Sequence, residues 1–272
     1  MNIALSTNWC NRTLENGREI VEKAKALGFD ALELGFRTTE AQAREIVEAA
    51  ILPVGSVHAF CPVPISAPEG YPELYQLASF DEEARAMARF QIKKNIAFAA
   101  QVGAQALVLH AGRVLCNCFF KFNRLKKRRR LGLKMVEIFK RELELIAPEL
   151  EKYKVTLGLE NLPYLEGFPD ATEIASVVGD HVRPWFDTGH WFALGGEQKT
   201  LPIGPIGVHI NDSVGGDDHL PPGEGKIDFA ALLPTILEAK HVVFEPHAGV
   251  TEEALAEGLK KFKAIIKNQI KP

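Results

Sequence analysis

The stretch that decides the fold reads RPWFDTGHWFALGG at residues 183–196 and, after a short spacer, GPIGVHINDSVGGDDHLPPGEG at residues 204–225. Within it, short apolar runs end in side chains that bind metal ions well. These side chains are Asp187, His190, His209, Asp217 and His219. No packing requirement explains so many of them in one place, because burial of an unpaired charge is unfavourable by several kcal/mol. We therefore interpret the stretch as part of a functional site at the ends of strands.

Outward from this stretch, short apolar runs alternate with longer amphipathic segments along the whole chain, which is typical of βα units around a parallel sheet. One helix is predicted from Thr13 to Leu27, ending before Gly28. Eight strands are predicted, at Ile3–Ser6, Ala31–Leu34, Val54–His58, Ala106–His110, Val155–Glu160, Pro184–Asp187, Ile206–Ile210 and Val242–Glu245. Because eight such units make a closed barrel, we expect residues 1–272 to form a single (β/α)₈ TIM barrel.

The composition fits this fold and narrows the function. The chain has 272 residues, of which 46% are hydrophobic, enough for one large core. A net charge of −3 and a pI near 6.3 give no overall attraction for nucleic acid or an anionic membrane. No apolar run resembles a signal peptide or approaches the roughly 20 residues of a membrane span, so a cytoplasmic protein is expected. There is no CxxC pair, and Cys116 and Cys118 are interpreted as ordinary thiols in preference to a metal site.

Three connections are unusually long. The Pro-rich residues 61–80 are predicted to lie over the strand ends as a lid or a substrate wall. Residues 121–130, KFNRLKKRRR, form a basic run, which we interpret as a solvated helix face in preference to a set of phosphate contacts. The third connection follows Ile210 and contains Asp217 and His219.

Ionisable side chains stand at or just after the ends of six consecutive predicted strands. Because the C-terminal strand ends of an α/β barrel converge on one mouth, these side chains are expected to face a common centre. Glu160 in VTLGLEN and Glu245 in HVVFEPH lie in apolar strands, where a cation is the simplest partner for a buried carboxylate. The predicted metal ligands are Glu160, Asp187, His209 and Glu245. Candidates for additional ligands are His58, His110, His190, Asp217 and His219.

The ligand types leave the metal open. Mixed carboxylate and imidazole ligands suit Zn²⁺, Mn²⁺, Co²⁺ or Fe²⁺ better than Ca²⁺, and Mg²⁺ is also retained, with one to three ions expected. His181 and His241 precede their strands and are expected at the opposite end of the barrel as structural residues, whereas His247 is a weak candidate for a supporting role. We interpret the large aromatic residues as core in preference to walls for a sugar ring: Trp9, Phe60, Trp185 and Trp191.

In their order, the motifs GFDALELGF, VHAF, LVLHAG, LGLEN, FDTGH, HINDS, DDHLPPGEGKIDF and FEP resemble the xylose-isomerase-like barrel superfamily over nearly the whole chain. That superfamily includes sugar isomerases, the tagatose/psicose 3-epimerases and endonuclease IV. The resemblance implies a TIM barrel with a metal site at its mouth. No single motif decides which branch is the relevant one.

The epimerase branch implies one metal on Glu160, Asp187, His209 and Glu245. Glu160 and Glu245 would also act as the acid/base pair, moving a proton between the two faces of a sugar, polyol or sugar phosphate through an enediolate. His190 would orient a substrate hydroxyl. This branch is favoured, because Glu33 in ALELGF is similar to small-molecule members of the superfamily.

The endonuclease IV branch implies three zinc ions, on a ligand set matched by all nine candidate residues. It would make the protein a phosphodiesterase acting on DNA. Its wedge loops are not recognisable in GFRTTEAQ or in the Pro-rich connection, so nucleic acid is the second choice after a carbohydrate. A barrel that binds metal without turnover is the third interpretation. No membrane partner is expected, and a homo-oligomer stays open.

Overall fold

The protein folds into a closed barrel of eight parallel strands, seen in a computed structural model that describes residues 1–10, 12–115, 121–195 and 204–269. Each barrel strand pairs with the next one along the chain, and the last pairs with the first. The barrel strands are β1 (Ile3–Ser6), β2 (Ala31–Leu34), β3 (Val54–His58), β4 (Ala106–Leu109), β6 (Thr156–Glu160), β8 (Val182–Asp187), β9 (Gly207–Ile210) and β10 (His241–Phe244). Two short segments, β5 (Gly112–Arg113) and β7 (Gly167–Phe168), form a separate antiparallel pair. The predicted (β/α)₈ barrel and its eight strands are confirmed, with small differences at strand ends.

Helices follow the strands, and except for α6, which lies at the mouth, they cover the outside of the barrel. They are α1 (Gly17–Ala26), α2 (Glu40–Ala49), α3 (Glu82–Gln101), α4 (Lys121–Tyr153), α5 (Ala171–Val177), α6 (Thr188–Ala193), α7 (Phe229–Glu238) and α8 (Glu252–Gln269). The first helix begins four residues later than Thr13, because the Asn16 side chain accepts hydrogen bonds from the backbone N–H groups of Arg18 and Glu19. Asp81 caps α3 in the same way, through the N–H of Ala84. Among the described residues, no helix is long and apolar enough to cross a membrane.

Trp185 fills the middle of the barrel interior and is fully buried. Space for its indole depends on two glycines of neighbouring strands: a Cβ on Gly207 would lie 2.2 Å from the ring, and a Cβ on Gly158 would lie 2.7 Å from it. Side chains alternate along a strand, so the residue two positions after Trp185 points into the barrel nearer its C-terminal end. That residue is Asp187. The indole therefore separates the C-terminal mouth from the N-terminal end.

The basic run lies on α4, and its two arginines with described ion pairs hold the helix to the scaffold. Arg128 is buried, with hydrogen bonds of 2.7 and 2.8 Å to the Glu173 carboxylate and of 2.7 Å to the Gly167 carbonyl. Arg124 pairs with Glu166. The predicted solvated helix face is therefore wrong at Arg128, which is buried. The intramolecular partners of both guanidinium groups also argue against the alternative, a set of phosphate contacts. Cys116 and Cys118 lie outside the described residues.

Candidate metal centre

All nine candidate ligands lie together at the C-terminal mouth of the barrel, as convergence of the strand ends predicts. Glu160, Asp187 and His209 point inward near the C-terminal ends of β6, β8 and β9, and their side chains have no exposed surface. Glu245 directly follows β10, His58 ends β3, and His110 follows β4. His190 lies on α6, and the loop after β9 supplies Asp217 and His219.

Within this mouth the nine side chains form three groups, and in each group one donor atom per residue lies within 4.8 Å of the others. The groups are His58, His110 and Glu160; Glu160, Asp187, His209 and Glu245; and His190, Asp217 and His219. Glu160 belongs to two of them. Its Oε2 lies 3.1 Å from His58 Nε2 and 3.0 Å from His110 Nε2, while its Oε1 lies 3.1 Å from His209 Nδ1. A carboxylate with one oxygen in each of two groups has the geometry of a bridging ligand.

The histidine rings are oriented by acceptors outside these groups. The Nδ1 atoms of His58, His190 and His219 lie 2.9, 2.8 and 2.8 Å from the backbone carbonyls of Ala59, Asn161 and Glu245. Because a carbonyl only accepts a hydrogen bond, each Nδ1 carries a proton and each Nε2 faces its group, where its lone pair would bind an ion. An acceptor behind the ring is the usual support of a metal-binding histidine.

Glu33 supports the His209 ring at Nε2, whereas the other three rings are supported at Nδ1. Its two carboxylate oxygens lie 3.1 and 3.2 Å from His209 Nε2, so Nδ1 faces the donor group. Ser56 donates a 2.8 Å hydrogen bond to the same carboxylate. In the sequence, Glu33 contributes to the family resemblance, but its position beside a metal ligand was not predicted. The feature that identified Glu160, a carboxylate inside an apolar strand, is also present at Glu33.

Asp187 is fixed by the two motifs FDTGH and HINDS. Its Oδ1 accepts a 2.7 Å hydrogen bond from the backbone N–H of His190, and its Oδ2 accepts one of 2.7 Å from the Asn211 side chain. Gly189 is required here, because a Cβ at that position would lie 1.8 Å from Asn211 Oδ1. The carboxylate is therefore held in place by the start of α6 before any ligand binds.

Charges in the centre stabilise one another against burial. Burial lowers the pKa of His110, but the Glu160 and Glu73 carboxylates outweigh it and raise that pKa to about 9. Burial also disfavours the charge on His219, whose hydrogen bond to Asp217 raises its pKa to about 10. Against the effect of burial, His209 and His110 hold the pKa of Glu160 well below its usual value. Protons on the imidazoles thus neutralise carboxylates that a divalent cation would neutralise in their place.

The residues fit divalent metal ions. Each group offers three or four donors from imidazole nitrogen and carboxylate oxygen, a set typical of Zn²⁺, Mn²⁺, Co²⁺ and Fe²⁺ sites. Within the described part of the chain, the ion-pair partners of Glu160, Asp187 and Glu245 are all imidazoles.

The sequence profile of one family, described as xylose isomerase-like TIM barrel, matches residues 21–265. The chain belongs to this family. No curated protein sequence matches the chain significantly. Among solved structures, a D-tagatose 3-epimerase-like protein is 22% identical with a TM-score of 0.73, with both chains covered in full. The 3-keto-D-glucoside 4-epimerase of E. coli is 20% identical over 97% of this chain and 99% of its own, with a TM-score of 0.69. The IOLI protein with a bound zinc atom is 15% identical over both full chains, with a TM-score of 0.69.

In this xylose isomerase-like barrel, seven of the nine donor residues line a cavity of about 370 Å³, and Asp187 and His209 are not among its lining residues. The predicted Pro-rich connection supplies part of its wall, through Tyr71, Pro72 and Glu73. The aromatic rings that border the cavity are Phe36, Tyr71 and Tyr164. Trp9, Phe60 and Trp185 are buried in the core, as the sequence interpretation preferred.

The remaining histidines of this family member take the places predicted for them. His181 precedes β8, and His241 begins β10 at the opposite end of the barrel. The His247 side chain is exposed at the rim of the cavity, and its backbone N–H donates a 3.1 Å hydrogen bond to the His219 carbonyl. Its contribution to the centre is therefore made through the backbone.

Proposed function

We propose that the protein is a divalent-metal-dependent isomerase or epimerase that acts on a sugar, polyol or sugar phosphate. The observation that carries this proposal is the placement of two carboxylates, Glu160 and Glu245, at the floor of a cavity of about 370 Å³. Both lie 3.1 Å from His209 Nδ1. A cavity of this size holds a small hydroxylated molecule.

The two glutamates are the proposed acid/base pair. One would take the proton from the carbon beside a carbonyl, and the other would return a proton through an enediolate. Glu245 is oriented for this role by the Asn8 side chain, which donates a 3.3 Å hydrogen bond to Oε1. Glu160 is held by His58 and His110. A divalent ion on Glu160, Asp187, His209 and Glu245 would supply Lewis-acid polarisation of the substrate oxygens.

His190 is the proposed residue for orienting a substrate hydroxyl. Its ring is fixed by the Asn161 carbonyl, and its Nε2 lies 3.3 Å from Asp217 Oδ1 at the cavity wall. The epimerases among the structurally similar proteins support the reaction class, and the zinc-bound relative supports the metal requirement.

A second candidate function is a multi-zinc phosphodiesterase acting on DNA. The observation that favours it is the presence of three donor groups in one mouth, two of which share Glu160, since metal ions close together stabilise both the attacking and the leaving oxygen of a phosphodiester. Against it, Arg124 and Arg128 of the basic run serve intramolecular ion pairs. The basic run also contributes no residue to the cavity lining among the described residues.

Elemental analysis of the purified protein, combined with two activity assays, tests the proposal. We expect epimerisation or isomerisation of at least one member of a panel of ketoses and ketose phosphates, restored after metal removal by Mn²⁺, Co²⁺ or Zn²⁺. Close to three zinc ions per chain together with incision of abasic duplex DNA would establish the phosphodiesterase instead. Bound metal with neither activity would identify a barrel that binds metal without turnover.

A further inference from the structure

Arg37, in the loop after β2, lines the cavity with a half-buried side chain. Its Nε donates a 3.3 Å hydrogen bond to the Glu69 carbonyl, and its guanidinium carbon lies 5.0 Å from the centre of the Phe36 ring. Within the described residues, neither terminal amino group has a hydrogen bond or a carboxylate partner. Two N–H donor groups of a permanent cation are therefore available at the cavity rim.

The surrounding loop holds this side chain in one position. Gly70 packs against its stem in a left-handed conformation with φ of +63°, and a Cβ there would lie 3.0 Å from Arg37 Cγ and 2.7 Å from the Phe36 carbonyl oxygen. The Phe36 ring in turn meets the His58 ring edge-on, with centroids 5.3 Å apart. The guanidinium is thus pre-positioned beside the donor groups, which reduces the entropy lost when a ligand binds it.

Neighbouring cations at this rim have carboxylate partners within 4 Å, whereas Arg37 has none in the described part of the chain. Arg12 contacts the Glu69 carboxylate at 2.9 Å, and Arg113 pairs with Glu73 and donates a 3.1 Å hydrogen bond to the Tyr164 hydroxyl. These pairs use the carboxylates of Glu69 and Glu73.

The Glu245 carboxylate of the centre favours the positive charge on Arg37 across the cavity. A divalent ion held by Glu160, Asp187, His209 and Glu245 would neutralise part of the charge on that carboxylate. With the ion bound, Arg37 would be left to attract an anion in the cavity.

We infer that Arg37 forms an anion subsite and that the substrate carries a carboxylate or phosphate group, which the guanidinium binds through its two terminal amino groups. This inference rests on the proposed function, because it names the substrate class of the same site. Arg37 acts as a specificity-determining residue, since it touches the substrate away from the reacting carbon.

Binding to the metal-loaded protein tests the inference with three compounds that share one carbon chain: ribitol, ribonate and ribitol 5-phosphate. Calorimetry should show at least one of the two anions binding about tenfold more tightly than ribitol. Arg37→Gln should remove that tenfold preference and leave ribitol affinity within about twofold. Arg37→Lys keeps the positive charge but loses the two terminal amino groups of the planar guanidinium. It should retain part of the preference.

Arg44→Gln is the matched control, because it removes the same charge from an exposed position on α2, where Arg44 contacts Glu48 and not the cavity. It should leave the preference nearly unchanged. The anion that loses affinity in Arg37→Gln identifies the group, ribonate for a carboxylate and ribitol 5-phosphate for a phosphate. Equal affinities of wild type for all three compounds, lack of binding by both anions, or an equal loss for ribitol in Arg37→Gln would overturn the inference.

The binding measurement is independent of turnover. An Arg37-dependent anion preference in a protein that converts no sugar would contradict the proposed reaction and leave the anion subsite standing. Turnover of neutral sugars that Arg37→Gln does not alter, with no anion preference, would remove the subsite and leave the reaction standing.

Discussion

Two histidines on neighbouring strands, His209 and His241, lie on either side of the same indole. The Trp185 ring centre is 5.2 Å from that of His209 and 6.0 Å from that of His241. His209, toward the mouth, contacts Glu33, Glu160 and Glu245 at 3.1 Å each. His241, toward the N-terminal end, has a buried Nε2 without a hydrogen-bond partner among the described residues.

The carboxylates account for the difference between these two rings. Burial disfavours the charged form of both. At the mouth, Glu245, Glu33 and Glu160 outweigh burial and raise the pKa of His209 well above its usual value. At the other end, burial and the nearby Lys240 lower the pKa of His241 to about 4. One barrel interior therefore contains two sites, one that attracts cations and one that excludes them. The acidic residues around His209 lie on the mouth side of Trp185, and this separates the two sites.

The largest expected effect comes from removing the acidic charge at the mouth. Glu160→Gln and Glu245→Gln should each lower turnover by at least about 100-fold, since each removes a proposed proton-transfer group and a metal donor. His241→Phe, on the other side of Trp185, should keep its metal and most of its activity. Steady-state kinetics and elemental analysis of the three variants measure this. Full turnover with bound metal in either glutamine variant would show that the acid/base assignment is wrong.

Metal removal should destabilise only proteins that keep all the metal ligands at the mouth of the barrel. An ion present at about 1,000 times its Kd contributes about 4 kcal/mol to the free energy of unfolding. Chelation should therefore lower the melting temperature of wild type and of His241→Phe by several degrees, and that of Glu160→Gln by much less. Differential scanning calorimetry with and without EDTA checks the prediction. An equal shift in all three proteins would place the metal elsewhere.

Glu33→Gln tests whether the carboxylate behind His209 is what distinguishes that ring from His241. Without the charge, His209 becomes a weaker donor, and we expect the metal affinity to fall about 10- to 100-fold. Competition with a chromophoric chelator gives the affinity directly. Ser56→Ala removes only a hydrogen bond to Glu33 and should change the affinity less. If Glu33→Gln binds metal as tightly as wild type, Glu33 supports only the fold.

The smallest expected effect is at His241. Its folded-state pKa of about 4 lies below the ordinary value of 6.5, so protons bind the unfolded chain more readily. Its contribution to stability is therefore lost as the pH falls from about 6.5 toward 4. His241→Phe keeps a ring against Trp185 and should remove up to about 2 kcal/mol of the loss between pH 7 and pH 5. Urea unfolding of both proteins at the two pH values measures it, and parallel pH dependences would contradict the prediction.

Much of the fold could be predicted because the alternation of short apolar runs and amphipathic segments is a local signal. The nine ligands could be placed at one mouth because convergence follows from barrel topology. Their division into three groups could not be predicted, since it depends on which oxygen of Glu160 faces which ring. The role of Arg37 could not be predicted either, because it depends on the pairing of the Glu69 and Glu73 carboxylates with Arg12 and Arg113, which leaves Arg37 without a carboxylate partner among the described residues. The ion pairs of Arg124 and Arg128 on α4 could not be predicted, because all residues of the basic run have similar chemistry.

The position of Glu160 also affects how metal ions would bind to the centre. Its two oxygens belong to different donor groups, so an ion in one group restrains the rotation of the carboxylate that the other group needs. The binding equilibria of the two ions are then linked, and each changes the affinity of the other by the same factor. Restraint of the shared carboxylate favours positive cooperativity, opposed by repulsion between the cations. The metal content of this protein would then depend on concentration as a coupled pair rather than as two independent sites.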